Sequence, residues 1–324
     1  MTRAETLAAT DEWFLQHGLS YFVPERRADV RNALRLKRTV PLVVLVALVA
    51  AGAGGVLAWA TGEFSAAPAT LVALGGLAVL WYALTALHAR QIVTWSLGRT
   101  LGSLRRVLPM TTRALPLLLL AITFLFINTE VWQVASNLSV ASLWLVVALF
   151  SILAILFLLV RLPEEVDRTD DDVDDAFLLR ACRGTPLEEP CRALVEDPTA
   201  DPAAYAEVTG YARWNLILVL MIVQTVQVVL LSLTVFAFLM VFGWIIMTEP
   251  VLTAWTTNTD GSSMDLNQAL LQVSVFLSAF SGLYLMVSTV TDEDYRAQFF
   301  GGVTRELERA VGMRAVYLAL RSAG

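Results

Sequence analysis

The chain has 324 residues, of which 57% are apolar and only 16% charged, and its formal net charge is -6. That composition is typical of a multi-pass membrane protein, and the lack of a basic excess gives no indication of nucleic-acid binding. The only lysine, Lys37, precedes Arg38, which excludes a Walker-type phosphate loop, and two histidines, His17 and His88, cannot build a histidine-rich zinc site.

Six charge-free stretches predict an all-α fold, a polytopic membrane helix bundle with six transmembrane helices and a cytoplasmic helical layer. Each stretch is long enough, or nearly so, to cross the hydrocarbon core of a bilayer as one helix. The third is short, and we expect it to continue through Glu130 to Trp132 at the membrane interface. The stretches cover residues 40–60, 69–88, 114–129, 139–160, 215–247 and 266–290.

The distribution of basic residues predicts the side of the membrane that each connection faces. Residues 61–68, 130–138 and 248–265 contain no lysine or arginine, so the other connections and both tails hold all 23. By the positive-inside rule, we expect both termini to be cytoplasmic. The predicted outer loops carry acids, and Glu130 and Glu249 are candidates for an acidic outer rim. The positive-inside rule by itself explains why these loops lack lysine and arginine, without a functional role for their acidic residues.

The first cytoplasmic elements are predicted to be basic helices. Residues 1–39 form an N-terminal unit whose segment 24–38 enters the first span as a basic helix, with Pro41 marking the break. Residues 40–160 hold the first four spans. Among them, leucines at helical spacing and arginines off that stripe predict an amphipathic helix over 90–108, on the inner leaflet or under the bundle.

Residues 161–213 are predicted to form an acidic, helical cytoplasmic insert. Thr169 or Asp170 can cap its first helix, and Asp201 followed by Pro202 has the form of an N-cap that begins the next long helix. A calcium loop is not predicted, because the required glycine and glutamate are missing. The acids indicate a solvated helix start that can bind a cytosolic protein; they are Asp170, Asp171, Asp172, Asp174 and Asp175.

Residues 214–290 hold the fifth and sixth spans, and the fifth is unusually long. Its 33 charge-free residues would make a helix of about 50 Å, against about 30 Å of hydrocarbon. We expect one tilted helix that begins near Pro202 and buries its surplus length against other protein. Gln224, Gln227 and Thr234 share one face of it. They act either in interhelical hydrogen bonds or as the lining of a pore, and the sequence leaves both open.

Small residues four apart predict close helix packing on two spans. Ala47, Ala51 and Gly55 lie on the first span, and Ser274, Ser278 and Gly282 lie on the sixth. Such faces let helix backbones approach each other. They can join helices of one chain or of two protomers.

Several function classes are disfavoured by what the spans and loops lack. No charged residue lies inside a predicted span, whereas ion-coupled transporters and voltage sensors need one. Without a nucleophile motif or metal-ligand spacing, we expect no enzymatic activity, no cofactor and no metal. Cys182 and Cys191 are expected to be free thiols, because their surroundings place them in the reducing cytosol.

The C-terminal segment 291–324 is predicted to be a cytoplasmic helix. Together with the long fifth span, its Tyr-Arg-x-x-Phe-Phe sequence resembles a family of actinobacterial multi-pass integral membrane proteins. The resemblance covers roughly the last 110 residues; it implies a bacterial plasma-membrane protein and carries no activity with it. The matching residues, Tyr295, Arg296, Phe299 and Phe300, are also candidates for binding a partner.

These features favour a homo-oligomeric ion channel or pore, gated from its cytoplasmic layer. In this hypothesis Gln224, Gln227 and Thr234 line or gate the path, and Glu130 or Glu249 shapes the outer rim. The alternative is a non-conducting adaptor or signalling component that binds a soluble partner through the acidic insert and the C-terminal helix. A facilitator for a small or lipidic molecule is a third hypothesis. All three require the lipid bilayer, and none involves nucleic acid.

Overall fold

The computed structural model describes the backbone of residues 2–171, 173–197, 199–256, 266–291 and 293–322. Within these ranges it describes every side chain except those of 99–117, 170–171, 249, 252–253, 256, 266, 289–291 and 293–305. This part of the chain is all-α, with 87% of residues in helices and no strand, which confirms the predicted fold class.

The described residues form thirteen α-helices and two short 3-10 turns, Ser20–Phe22 and Pro202–Tyr205. The α-helices are α1 Arg3–Gln16, α2 Pro24–Ala33, α3 Leu36–Thr61, α4 Ala66–Thr85, α5 Ala89–Phe126, α6 Thr129–Ser136, α7 Val140–Asp171, α8 Asp175–Cys182, α9 Glu188–Glu196, α10 Gly210–Ile246, α11 Glu249–Thr256, α12 Leu266–Thr291 and α13 Glu293–Ser322.

Five of these helices, α3, α4, α7, α10 and α12, are long and apolar enough to cross a membrane. The third predicted span differs, because residues 118–126 of α5 and the whole of α6 pass the same test only as a pair bent by 75°. The bend begins at Asn128, whose side chain accepts the backbone N–H groups of Glu130 and Val131 and so starts a new helix. The indole of Trp132 holds the bend by donating to the carbonyl of Phe126 at 2.6 Å.

The amphipathic helix expected over 90–108 is not a separate element. It is the first half of α5, which runs without interruption from Ala89 to Phe126. The expected helix end was wrong because a helix ends only where the backbone leaves helical geometry or a capping residue intervenes. A change from charged to apolar side chains does not end a helix.

The predicted break at Pro41 is also wrong. Pro41 lies inside α3, and the chain instead breaks at residues 34–35, between α2 and α3. The hydroxyl of Tyr82 fixes this break by donating to the carbonyl of Ala33 at 2.6 Å. A proline this close to a helix start removes few backbone bonds, so α3 continues through it.

Two helix starts in the acidic insert differ from the predicted ones. Thr169 stays inside α7, where its hydroxyl donates to the carbonyl of Glu165, and Asp174 caps α8 by accepting from the N–H of Phe177 at 2.6 Å. Asp201 does cap a turn, but only the 3-10 turn that follows it. The long helix α10 begins at Gly210, whose φ of 62° breaks the chain where no bulkier residue fits easily.

Two apolar cores lie at opposite ends of the bundle. The basal core joins α1, α8, α9 and α13 to the nearby ends of α7, α10 and α12, and includes Phe14, Leu178, Leu216 and Val316. The distal core joins α5, α6, α10 and α12 through residues such as Phe126, Trp132, Leu239 and Leu277. The long helix α10 belongs to both cores, and its surplus length is buried in the basal one.

A buried amide joins the N-terminal segment to α10. Asn215 is fully buried, and its side chain accepts the N–H of Tyr21 at 2.7 Å and donates to the carbonyl of Gly18 at 2.9 Å. Both amide atoms are therefore satisfied by backbone groups that have left helical geometry after α1. This Asn215 clamp fixes how α1 and the first 3-10 turn sit on the basal half of α10.

Replacing Asn215 with leucine should destabilise the fold by roughly 2 to 5 kcal/mol, because two buried backbone groups lose their partners. The measurement is the thermal unfolding midpoint of the purified protein in detergent. Thr234→Val on the same helix is the matched control, since Thr234 is exposed and bonds only its own helix. Equal midpoints for the two variants would show that the clamp contributes nothing.

Helices α3 and α4 form a hairpin that meets the rest of the bundle mainly through α4. Gly54 makes the closest approach within the hairpin, since a Cβ atom there would lie 2.8 Å from the carbonyl oxygen of Ala67. The predicted packing face of Ala47, Ala51 and Gly55 points elsewhere, and all three residues are exposed. The hairpin therefore packs through a neighbouring face of α3.

The two adjacent glycines provide a matched test of this register. Gly54→Ala should destabilise the protein by about 1 to 3 kcal/mol, because its Cβ meets backbone that cannot move aside alone. Gly55→Ala meets nothing within 4 Å and should be neutral or slightly stabilising. Thermal unfolding of both variants checks the difference, and the opposite order would contradict the register of the hairpin.

Candidate functional site

Each of the two glutamines of α10 has one buried side-chain atom that lacks a hydrogen-bond partner among the described residues. Gln224 is 2% exposed and its Nε2 is buried; Gln227 is half-buried and its Oε1 is buried. Neither atom has a hydrogen-bond partner among the residues that the structure describes. Among the described residues, these two atoms therefore form none of the interhelical hydrogen bonds that a purely structural role predicts.

The level of the glutamines along the bundle follows from an ion pair between α7 and α10. Arg213 donates to Asp167 at 2.8 Å, and the two helices run in opposite directions. Arg161, the first charged residue of α7, then lies roughly 9 Å further along the bundle, level with about residue 219. Gln224 lies roughly 8 Å beyond that level, alongside the charge-free part of α7.

A narrow crevice approaches the glutamines from the basal end. Its volume is about 30 Å³, room for roughly one water molecule. Aromatic rings form one wall, with Trp13 stacked on His17 at 3.8 Å between ring centroids and Trp95 opposite. The α10 wall ends at Leu220, one helical turn before Gln224 on the same face. Glu306 also lines the crevice.

The third polar candidate of α10 does not join this group. Thr234 is exposed, and its hydroxyl donates to the carbonyl of Leu230 in its own helix at 2.9 Å. Leu231, between it and the glutamines, is buried in the distal core. The structure therefore brings Gln224 and Gln227 together and places Thr234 on the outer surface.

Two of the buried polar side chains on α12 also have an atom without a partner among the described residues. Gln272 donates from Nε2 to the carbonyl of Leu138 at 3.4 Å, while its Oε1 is buried without a partner among the described residues. Ser274 is fully buried, and its hydroxyl is likewise unpartnered in that part of the chain. The sequence signal for Gln272 was available, since it is an amide inside the sixth apolar stretch. Nearby, Gly282 packs against Ser232 of α10, as its small size predicts.

Of the two outer-rim candidates, the structure describes the side chain of Glu130 but not that of Glu249. Glu130 is exposed in the first turn of α6, where its charge suits the helix dipole, so the residue has a structural reason to be acidic. The side chain of Glu249 lies outside the described residues, although its backbone begins α11. The structure therefore gives no contact between the two.

The partner-binding candidates are only partly visible. Asp174 is the cap of α8, and Asp175 is exposed in the first turn of that helix. The side chains of Asp170 and Asp171, and residue Asp172 as a whole, lie outside what the structure describes. The same holds for the four side chains of the C-terminal motif, Tyr295, Arg296, Phe299 and Phe300, whose backbone belongs to α13.

The remaining side of α13 is a packing element rather than an open surface. Val311, Val316 and Tyr317 are buried in the basal core. The phenol of Tyr317 donates to Asp11 of α1 at 2.7 Å, and burial raises its pKa so that it remains protonated. Helices α1 and α13 are thus held together by a hydrogen bond as well as by packing.

The cysteines are free and buried in the basal core. The neighbouring thiol of Cys191 and burial both raise the pKa of Cys182. A thiol in that state is a poor nucleophile. Among the described residues, no three metal-ligating side chains come together.

Comparison with known proteins found no family model, no curated protein and no solved structure that matches this chain. The resemblance carried by the C-terminal motif therefore stays a prediction. What the fold and its apolar helices define is a class, a helical membrane protein with several candidate spans. The functional argument rests on the geometry around α10.

The cap at Asp174 predicts a local effect that differs from that of its neighbour. Asp174→Ala should weaken α8 by about 1 kcal/mol, which speeds backbone hydrogen exchange over residues 175–182 about fivefold. Asp175→Ala, which removes an equal charge but no cap, should change exchange much less. If both variants exchange alike, the acids act only through their charge.

Proposed function

We propose that the protein is an oligomeric channel or pore-type protein of a bacterial plasma membrane. In this proposal the bent α5 and α6 complete six crossings, the basal end is the cytoplasmic layer, and both termini lie on that side. The path passes Gln224 and Gln227 of α10. Its gate is moved by the helices of the basal core.

The observation that carries the proposal is the pair of unpartnered amides. A buried polar group without a partner costs about 1 to 3 kcal/mol, and the cost is greater where water is excluded. A fold whose polar groups served only for packing would satisfy them. A permeating ion or water supplies the missing bonds as it passes, which gives the amides a role that packing does not.

The crevice gives the path an entrance. It reaches α10 one turn below Gln224, from the end that carries both chain tails. Its lining includes Glu306 and Trp13, and the Arg309 guanidinium lies over the Trp13 ring at 5.5 Å. Charged groups beside a narrow path attract or repel ions before they enter.

Gating from the basal core follows from how α10 is held. Its first half packs against α5, α7 and the first 3-10 turn and shares the basal core with α1, α8 and α13, so a shift of these helices as a group repacks the core around α10. Leu216 and Leu220 belong to that core and also line the crevice. Opening the crevice and moving the basal helices are therefore the same event in this proposal.

The alternative, a non-conducting adaptor, uses other residues. It would bind a soluble protein through the acids from Asp170 to Asp175 and the start of α13. Its signature is a cytosolic partner that is lost when those acids are neutralised. For that comparison Asp174 must be retained, because it caps α8 and its loss would also disturb the fold.

The decisive measurement is the conductance of purified protein in planar bilayers. We expect discrete currents from the wild type, and at least about a tenfold loss of conductance in Gln224→Leu/Gln227→Leu, because the path loses its polar lining. Thr234→Val is the matched control on the same helix and should conduct like the wild type. Insertion and thermal stability are compared for all three.

Two results would count against the proposal. One is silence from well-inserted wild-type protein across a range of cytosolic pH and divalent concentration. The other is currents that the double substitution leaves unchanged, which would place the path away from α10. Either result moves the interpretation to the adaptor and to the acidic insert.

A further inference from the structure

A second, larger cavity lies at the junction of α2, α3, α4 and α5. Its volume is about 740 Å³, and it is open to solvent on one side. The walls come from the last turn of α2, the start of α3 and the loop between α4 and α5. We call it the junction cleft; its lining residues are Asp29, Asn32, Ala33, Arg35, Arg38, Thr85, Ala86 and His88.

The lining of the junction cleft is net positive. Arg35 and Arg38 face one acid, Asp29, which lies 4.0 Å from Nε2 of His88. Neither arginine forms an ion pair within the part of the chain that the structure describes. Two guanidinium groups are therefore available to an anion that enters the cleft.

Backbone groups add to this positive lining. The cleft contains the residues that precede two long helices, Arg35 before α3 and His88 before α5, and neither helix start receives a side-chain cap. The orphan N–H groups and positive dipole ends of both helices thus come to one cavity. The last turn of α4 contributes carbonyl groups of opposite sign at Thr85 and Ala86.

His88 is held in an unusual conformation at this point. It is the only residue other than glycine with a left-handed backbone in the described chain, at φ 52°. Such a conformation persists only where the surroundings fix it. The hydroxyl of Tyr21 does so by donating to the neighbouring carbonyl of Leu87 at 2.6 Å, and burial raises the pKa of Tyr21 to about 12, which keeps it a donor.

The opposite wall is fixed as well. The hydroxyl of Tyr82 in α4 donates to the carbonyl of Ala33, two residues before Arg35. Two tyrosines therefore hold both sides of the junction cleft in place. A cavity with fixed walls loses little conformational freedom when it binds a ligand.

The place of the cleft along the helices indicates a lipid rather than a soluble anion. The charge-free stretch of α3 begins two residues after Arg38, and that of α4 ends within a few residues of Thr85. Leu34 and Leu36, at the edge of the cleft, are 46% and 77% exposed. A headgroup in the cleft would thus have its acyl chains beside the exposed apolar surface of the α3–α4 hairpin.

We propose that the junction cleft binds the phosphate headgroup of an anionic phospholipid. Arg35 and Arg38 donate to the phosphate oxygens, and the free N–H groups at the starts of α3 and α5 complete the site. The site is independent of whether the protein conducts. It gives the protein a specific lipid ligand at the surface where its basic segments lie.

The test is native mass spectrometry of the full chain in micelles doped with phosphatidylglycerol or phosphatidylcholine. We expect Arg35→Gln/Arg38→Gln to weaken phosphatidylglycerol binding roughly thirtyfold. Arg31→Gln/Lys37→Gln removes the same charge from neighbouring residues outside the lining and should weaken binding less than about threefold. Equal losses would show general surface attraction and overturn the proposal.

A second variant guards against misfolding. His88→Gly removes the imidazole but suits the left-handed backbone, so it should fold like the wild type and retain most phosphatidylglycerol binding. Inorganic phosphate is added in a competing arm and should not displace the lipid at millimolar concentration. Displacement by phosphate, or equal binding of phosphatidylcholine, would overturn the assignment to an anionic lipid.

Discussion

The fold depends on one buried amide, Asn215, which ties an irregular segment of the N-terminus to the longest apolar helix. In the segment 18–21, where the chain leaves α1, Asn215 supplies the partners of the Gly18 carbonyl and the Tyr21 N–H. Once that segment is fixed, Tyr21 reaches Leu87 and sets the junction between α4 and α5. The positions of the crevice wall and of the junction-cleft wall thus both depend on the side chain of Asn215.

This dependence explains why α10 overshoots a bilayer. A helix that only crossed the membrane would end near the level of Arg161 on α7, and Asn215 would have no place on it. The additional turns extend into the basal core that α1, α8 and α13 share, and they are among the most buried part of α10. In the proposed topology the extra turns of α10 therefore lie on the cytoplasmic side. In the sequence they are visible only as an apolar run that is longer than a bilayer requires.

The all-α class and the apolar helices could be predicted because hydropathy reports them directly. The positions of the helix ends were harder to predict from the sequence. The bend at Asn128 and the start of α8 at Asp174 depend on which of several polar residues caps, and neighbours such as Thr169 have the same local signature. Asn215 was missed because it stands at the beginning of the apolar run and resembles a boundary residue. Its partners, 194 and 197 residues earlier in the chain, are visible only in three dimensions.

The contrast between the amides of α10 is the strongest reason to look for a function in this helix. Asn215 and Gln224 are nine residues apart, on opposite sides of α10, and both are almost completely buried. The fold satisfies both ends of Asn215 with backbone groups, so this chain can complete the hydrogen bonds of a buried amide where the role is structural. At Gln224 and Gln227 one donor and one acceptor have no partner among the described residues, one helical turn beyond a crevice lined by Leu220. Since leaving such groups unpartnered has a cost in a closely packed helix, the proposed path gives them a partner that comes and goes.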